Sequence, residues 1–268
     1  MPRLIRSAKS GSAWEANDLR MYNITASDRS PEEFFLNQNH PHTIDHDILY
    51  SPAINPNPNL SPAAARYLRF LQTTIRFPRN EGAVDVFVLN TLTLLNFDGP
   101  DITVTQNHII PLTICGDTAR VAQTDVCLMH LPSGVLLVLI ESKSATSSAN
   151  AEPQVIAQAI AAFQSNNRIR KLHGLAVLPT TVIPCITMLG THPAFYLVPV
   201  TEALSTAVIG GRPCDTETDV SRFQFLSRTR RQTMAGMEDP EYRRQALENF
   251  LAFKEVARSH WEQVLQGF

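Results

Sequence analysis

Leu136-Leu137-Val138-Leu139-Ile140 is an unbroken aliphatic run that ends in Glu141-Ser142-Lys143. Short, apolar and rich in branched side chains, the run reads as a buried strand. Side chains alternate along a strand, so Glu141 and Lys143 leave on one side and Ser142 on the other. Two opposite charges therefore stand at the rim of a core. The segment Val121 to Met129 reads as a second strand, and Leu131-Pro132-Ser133-Gly134 supplies the turn between the two. As a hairpin, the pair brings Asp125 near Glu141 and Lys143. Carboxylates with an ammonium, gathered where strands end, make a metal-plus-base constellation.

The flanking sequence extends this frame. Ser30-Pro31-Glu32-Glu33 has the residues of a helix start, and Pro52, Pro56, Pro58 and Pro62 make a linker-like stretch. Ser61-Pro62 opens a helix through Arg76, and Asn80 caps another through Asn96. A strand is expected over Asp101 to Cys115, a helix from about Glu152 to Arg168, and strands over Ile183 to Leu189 and Ala194 to Val200. Val155, Ile156, Ala159, Ile160 and Phe163 give the 152–168 helix one apolar stripe that can lie on a sheet. A long amphipathic helix is expected from Asp239 to Gln266, with Phe250, Phe253, Ala257 and Trp261 near one face. Helices and strands in mixed order predict an α/β three-layer domain.

Asp125, a gap of about fifteen residues, and Glu141-Ser142-Lys143 resemble the motif of the PD-(D/E)xK nuclease superfamily, with Thr124 in place of the usual Pro. The resemblance covers roughly Asn80 to Val200. It implies a restriction-endonuclease-like three-layer core, a mixed sheet flanked by helices, with helical N- and C-terminal additions. The expected division is an N-terminal extension over 1–60, the core over 61–204, and a basic loop with a long helix over 205–268.

The same resemblance implies a divalent-metal-dependent nuclease acting on DNA, with Mg²⁺ or Mn²⁺ as cofactor. Asp125, Glu141, Lys143 and Gln158 would be its catalytic residues. Glu81, Asp125, Glu141 and the Ser142 carbonyl would hold the ion, Glu81 being the additional acid of the first core helix and Asp85 its competitor one turn later. Mg²⁺ suits such oxygen ligands. Gln154 would approach substrate phosphate. Arg228, Arg230 and Arg231, near Arg222 and with Phe223 and Phe225 interleaved, form a basic stretch suited to nucleic acid. The alternative is a catalytically inactive nuclease-like module that binds DNA or protein, or an effector using this fold. A homodimer through the C-terminal helix is a further expectation.

Net charge of −2 on 268 residues excludes a strongly basic structural protein, so nucleic-acid contact must be local. Four dispersed cysteines without a Cys-x-x-Cys spacing read as buried thiols in a reducing, intracellular compartment, not as a zinc site. No apolar run approaches the roughly 20 residues that cross a bilayer. The basic, Ser-rich start lacks the apolar stretch of a secretory signal and leaves a mitochondrial-type presequence open. His40, His42 and His46 with Asp45 and Asp47 read as a polar loop because Pro41 interrupts them. No Walker A loop, Gly-x-Ser-x-Gly elbow or His-Glu-x-x-His occurs.

Overall fold

The computed structural model describes residues 7–35, 44–54, 59–225 and 230–268, with the backbone alone for 230–232. A 3₁₀ turn over Gly11–Ala13 is followed by α1 (Ala16–Met21), β1 (Ile24–Asp28), α2 (Pro31–Phe35), α3 (His46–Tyr50), α4 (Pro62–Arg76) and α5 (Glu81–Leu94). Then come β2 (Ile102–Ile114), β3 (Asp117–His130), β4 (Leu136–Lys143), α6 (Glu152–Leu172), β5 (Thr180–Leu189) and β6 (His192–Thr201). The chain closes with α7 (Glu202–Gly210), β7 (Thr218–Gln224), α8 (Arg230–Ala235), a 3₁₀ turn Gly236–Glu238, and α9 (Pro240–Leu265).

Helix starts follow from side chains that satisfy otherwise unpaired amides. Ser61 accepts from Ala64 N–H, Asn80 from Ala83, Thr201 from Leu204 and Asp239 from Tyr242. Pro62 and Pro240 sit in the first turn, where a missing N–H costs nothing.

The described strands form one mixed sheet in the order β1-β7-β6-β5-β4-β3-β2. β2, β3 and β4 are successive antiparallel neighbours, whereas β5 lies parallel to β4 after the crossover through α6. Helices cover both faces. Ile156, Ile160 and Phe163 of α6 pack with Leu139 and Cys185 on one face, while α4, α5 and α9 pack with Val138, Ile140 and Ile186 on the other. β4 lies between two covered faces, which is why its sequence is a continuous apolar run and not an alternating one.

β1 and β7 pair in parallel at one sheet edge, so segments from both ends of the chain join the sheet. Neither strand was expected: β1 reads Ile-Thr-Ala-Ser-Asp, and β7 lies in the stretch read as a basic loop. Their half-exposed, polar-rich residues carry too little apolar alternation to announce a strand. The stripe of α9 is used within the chain, with Phe250, Phe253, Ala257 and Trp261 all buried in the core. Among the described residues no helix is long and apolar enough to cross a membrane. Cys127, Cys185 and Cys214 are buried free thiols, and Cys115 is half-buried.

Candidate active site

The site begins where β3 and β4 part. Their pairing ends at Val126↔Ile140, and there the Thr124 side chain takes the place of the next ladder partner. Its Oγ1 accepts from Ile140 N–H at 3.2 Å and lies 2.9 Å from the Ile140 carbonyl and 2.8 Å from that of Val126, either of which can accept its proton. On the other side of β3 the ladder passes from Gln106↔Val126 to His108↔Thr124 and skips Asn107 opposite Asp125. Asn107 sits at φ 53°, a left-handed conformation that Asn tolerates better than most residues. Asp125 is thus released from regular pairing, and its Oδ2 accepts from Ser142 N–H at 2.7 Å.

Glu141 and Lys143 project together, as alternation requires, and Lys143 Nζ donates to Glu141 Oε1 at 2.7 Å. Gln158 reaches the same carboxylate from α6: its Nε2 donates to Glu141 Oε2 at 2.5 Å and to the Gln123 carbonyl at 2.7 Å. Glu141 is only 4% exposed, so this charge is held inside the protein by an ammonium and an amide.

From the opposite face, α5 brings Asp85 toward Asp125 and Ser142. Ser142 Oγ lies near enough to temper the Asp85 carboxyl without meeting hydrogen-bond geometry, so Ser142 Oγ and Asp85 Oδ1 are both buried without a partner. Glu81, in the first turn of α5, is exposed, yet its charge is felt by Asp85, Asp125 and Lys143. The acid that α5 sends deepest is therefore Asp85.

Electrostatics follow from this crowding. Burial, then the charge of Asp125, pushes Glu141 up to about 7 and Asp85 up to about 6. Burial also raises Asp125, against the pull of the Ser142 amide and Lys143. Burial alone would lower Lys143, but its hydrogen bond to Glu141 and the charges of Glu141, Asp125 and Glu81 hold it above the usual ammonium value. The ammonium is outnumbered by acids.

Among the described residues no three His, Cys, Asp or Glu side chains already enclose space for an ion. Glu141 is turned to Lys143 and Gln158, and Asp125 to the Ser142 amide. The donor chemistry nevertheless fits a hard divalent cation: crowded carboxylates with raised pKa values, and orphaned buried oxygens on Asp85 and Ser142.

The remaining expected residues fall elsewhere. Gln154 Nε2 donates to the Ser12 carbonyl at 2.8 Å and so ties α6 to the N-terminal turn. That turn lies so close to β3 that a Cβ on Gly11 would meet Ala122 Cβ at 2.7 Å. Arg228 lies outside the described residues, and Arg230 and Arg231 open α8. Two bonds connect α8 to the site: Thr191 Oγ1 to the Ala235 carbonyl (3.4 Å), and Gly190 N–H to the Lys143 carbonyl (2.8 Å).

Arg222 is not open to a ligand, since it binds Asp28 with two nitrogens and Glu152 with a third. The interleaved aromatics are structural too: Phe223 is buried in the core, and Phe225 packs edge-on against Tyr242. Asp45 caps α3 through Asp47 N–H and His46 packs on Tyr50, while His40 and His42 lie outside the described residues. Neither a family model nor a curated protein matches the sequence.

Proposed function

We propose that this protein is a divalent-metal-dependent nuclease of the PD-(D/E)xK kind, hydrolysing phosphodiester bonds of DNA. One observation carries the reading: Asp125, Glu141, Lys143 and Gln158 converge, with Asp85, at the parting of β3 and β4. The succession α5-β2-β3-β4-α6-β5, with β5 parallel to β4, supports it, being the order that the resemblance implies for a restriction-endonuclease-like core.

Asp85, Asp125, Glu141 and the Ser142 carbonyl would hold Mg²⁺ or Mn²⁺, with Glu81 at its outer edge. When bound, the ion supplies positive charge against that growing on the phosphate oxygens and acidifies water. Lys143 remains an ammonium at neutral pH, so it is a donor that orients the phosphate and stabilises negative charge, not a base. Asp85 and Glu141 would be committed to the ion as carboxylates, so the proton lost by the attacking water would pass to a neighbouring water. Gln158 holds Glu141 in place from α6. Water adds to phosphorus, and the P–O bond to the leaving oxygen breaks.

The second reading, a binding module without catalysis, draws support from Glu141 being engaged by Lys143 and Gln158. Paired measurements on wild type and Lys143→Ala separate the two: DNA affinity by anisotropy in EDTA, and nicking with Mg²⁺ or Mn²⁺. A nuclease loses roughly 10²–10³-fold in rate with affinity little changed. Wild type that cuts nothing with any divalent ion, or a variant that cuts as well as wild type, rejects the nuclease.

A further inference from the structure

The strongest unassigned surface lies on α4 and the loop that joins it to α5. From residue 48 to residue 80 the chain contains no Asp or Glu, and its charged side chains there are Arg66, Arg69, Arg76 and Arg79. On α4, Arg66, Arg69 and Arg76 fall within an arc of about 80° at 3.6 residues per turn. That arc is opposite Tyr67, Leu68 and Leu71, which are buried in the core. All four arginines are exposed, and none joins an ion pair among the described residues. Among the described residues only Arg66 of the four has side-chain partners, the neutral Asn90 oxygen at 3.1 Å and the Phe70 ring, whose centroid is 5.9 Å from the guanidinium carbon. A row of guanidinium groups with no carboxylate partner among the described residues is a charge imbalance in a chain of net charge −2.

Phe77, between Arg76 and Arg79, is 54% exposed. The same loop leads through Asn80 into Glu81 and Asp85, so the stripe starts at the rim of the candidate site and runs along α4. Arg66 to Arg76 spans about 15 Å at 1.5 Å per residue. A basic track with an exposed aromatic at its catalytic end has the two parts of a surface for unpaired nucleic acid: cations for the backbone and a ring for a base face. In a duplex the base faces are stacked and closed to Phe77.

We propose that Arg69, Arg76, Phe77 and Arg79 bind a single-stranded stretch of nucleic acid and lead it to the Asp125–Glu141–Lys143 site. The proposal deepens the nuclease reading by naming the substrate form, and its test uses no catalysis. Fluorescent oligo-dT, oligo-rU and a blunt duplex are titrated in EDTA over a range of salt concentrations against wild type, R69A/R76A/R79A, the matching triple Lys variant, and Phe77→Ala.

The expected result for the triple Ala variant is a salt slope on single strands shallower by about 2, at roughly 0.7 for each phosphate no longer neutralised. The triple Lys variant keeps the slope, which shows that the Ala variant was deprived of charge and not of its fold. Phe77→Ala weakens single-strand binding by roughly 5- to 100-fold and leaves the duplex unchanged. Wild type that binds no oligonucleotide, a triple Ala variant with wild-type slope, or a Phe77→Ala effect equal on duplex and single strand overturns the proposal. So does a track whose arginines matter for phosphatidylserine vesicles and not for oligonucleotides. Binding with all these features but no cleavage under Mg²⁺ or Mn²⁺ supports the track and rejects only the nuclease.

Discussion

The Asp125 carboxylate accepts from the Ser142 amide at 2.7 Å, just beyond Val126↔Ile140, the last pair between their two strands. A backbone donor fixes this anion without neutralising it, so the carboxylate stays available to a cation while its position is set by the sheet. The Thr124 hydroxyl makes this arrangement tenable by capping Ile140, whose amide would otherwise be buried and unpaired.

Replacing Thr124 by Val keeps the shape and removes the hydroxyl. Stability should fall by about 1–3 kcal/mol, the cost of a buried unsatisfied amide. The Ser142 amide should also lose hydrogen-exchange protection as Asp125 shifts. Thr124→Ser should restore both. Equal exchange at Ser142 in wild type and Thr124→Val would mean that Asp125 is positioned by something else.

Glu141 and Asp85 make metal-free stability fall as pH rises. Their carboxyls hold protons to about 7 and about 6 in the folded state, but release them near 4.5 and 3.8 when unfolded. The folded chain therefore binds more protons between these limits, and stability drops from about pH 4 to pH 7, by at most roughly 6 kcal/mol for the two groups together. Below that window both states are protonated and these groups contribute no slope. Thermal melts in EDTA at pH 4.5, 6 and 7.5 test this, with Glu141→Gln expected to flatten the curve and Mn²⁺ to restore stability at pH 7.5.

Asp85 and Glu81 sit one helical turn apart but in different surroundings. Asp85→Asn should raise the metal-free melting temperature at pH 7.5, because it removes a charge repelled by Asp125, and should weaken Mn²⁺ binding about tenfold or more. Glu81→Gln should change both less, and Asp125→Ala should abolish calorimetric Mn²⁺ binding while circular dichroism stays native. A larger effect from Glu81→Gln than from Asp85→Asn would return the acid's role to Glu81.

Arg230 and Arg231 begin α8, whose last turn touches the loop beside Lys143. Converting them and Arg228 to Ala should reduce nucleic-acid affinity and flatten its salt dependence by about 0.7–0.9 for each phosphate they neutralise. An unchanged slope would leave α4 as the basic surface that matters.

The strand Leu136–Ile140, the shared side of Glu141 and Lys143, and the helix carrying Gln158 were legible because they depend on local rules: apolar runs, alternation by two, and periodicity near 3.6. The starts of α4 and α5 were legible for the same reason, since Ser61, Pro62 and Asn80 act within one turn. The deeper burial of Asp85 than of Glu81, the use of Thr124 as a ladder partner, and the engagement of Arg222 by Asp28 and Glu152 were not. Each depends on groups distant in sequence: Asp85 faces Asp125, Thr124 meets Ile140, and Arg222 meets Asp28 only because β1 pairs with β7. The α9 stripe makes the same point: its periodicity specifies an apolar face, but whether a second copy or the chain's own sheet covers it is a question of packing. Sequence sets what a segment must bury or expose, whereas burial partners, and with them charge states, exist only once the sheet has closed around them.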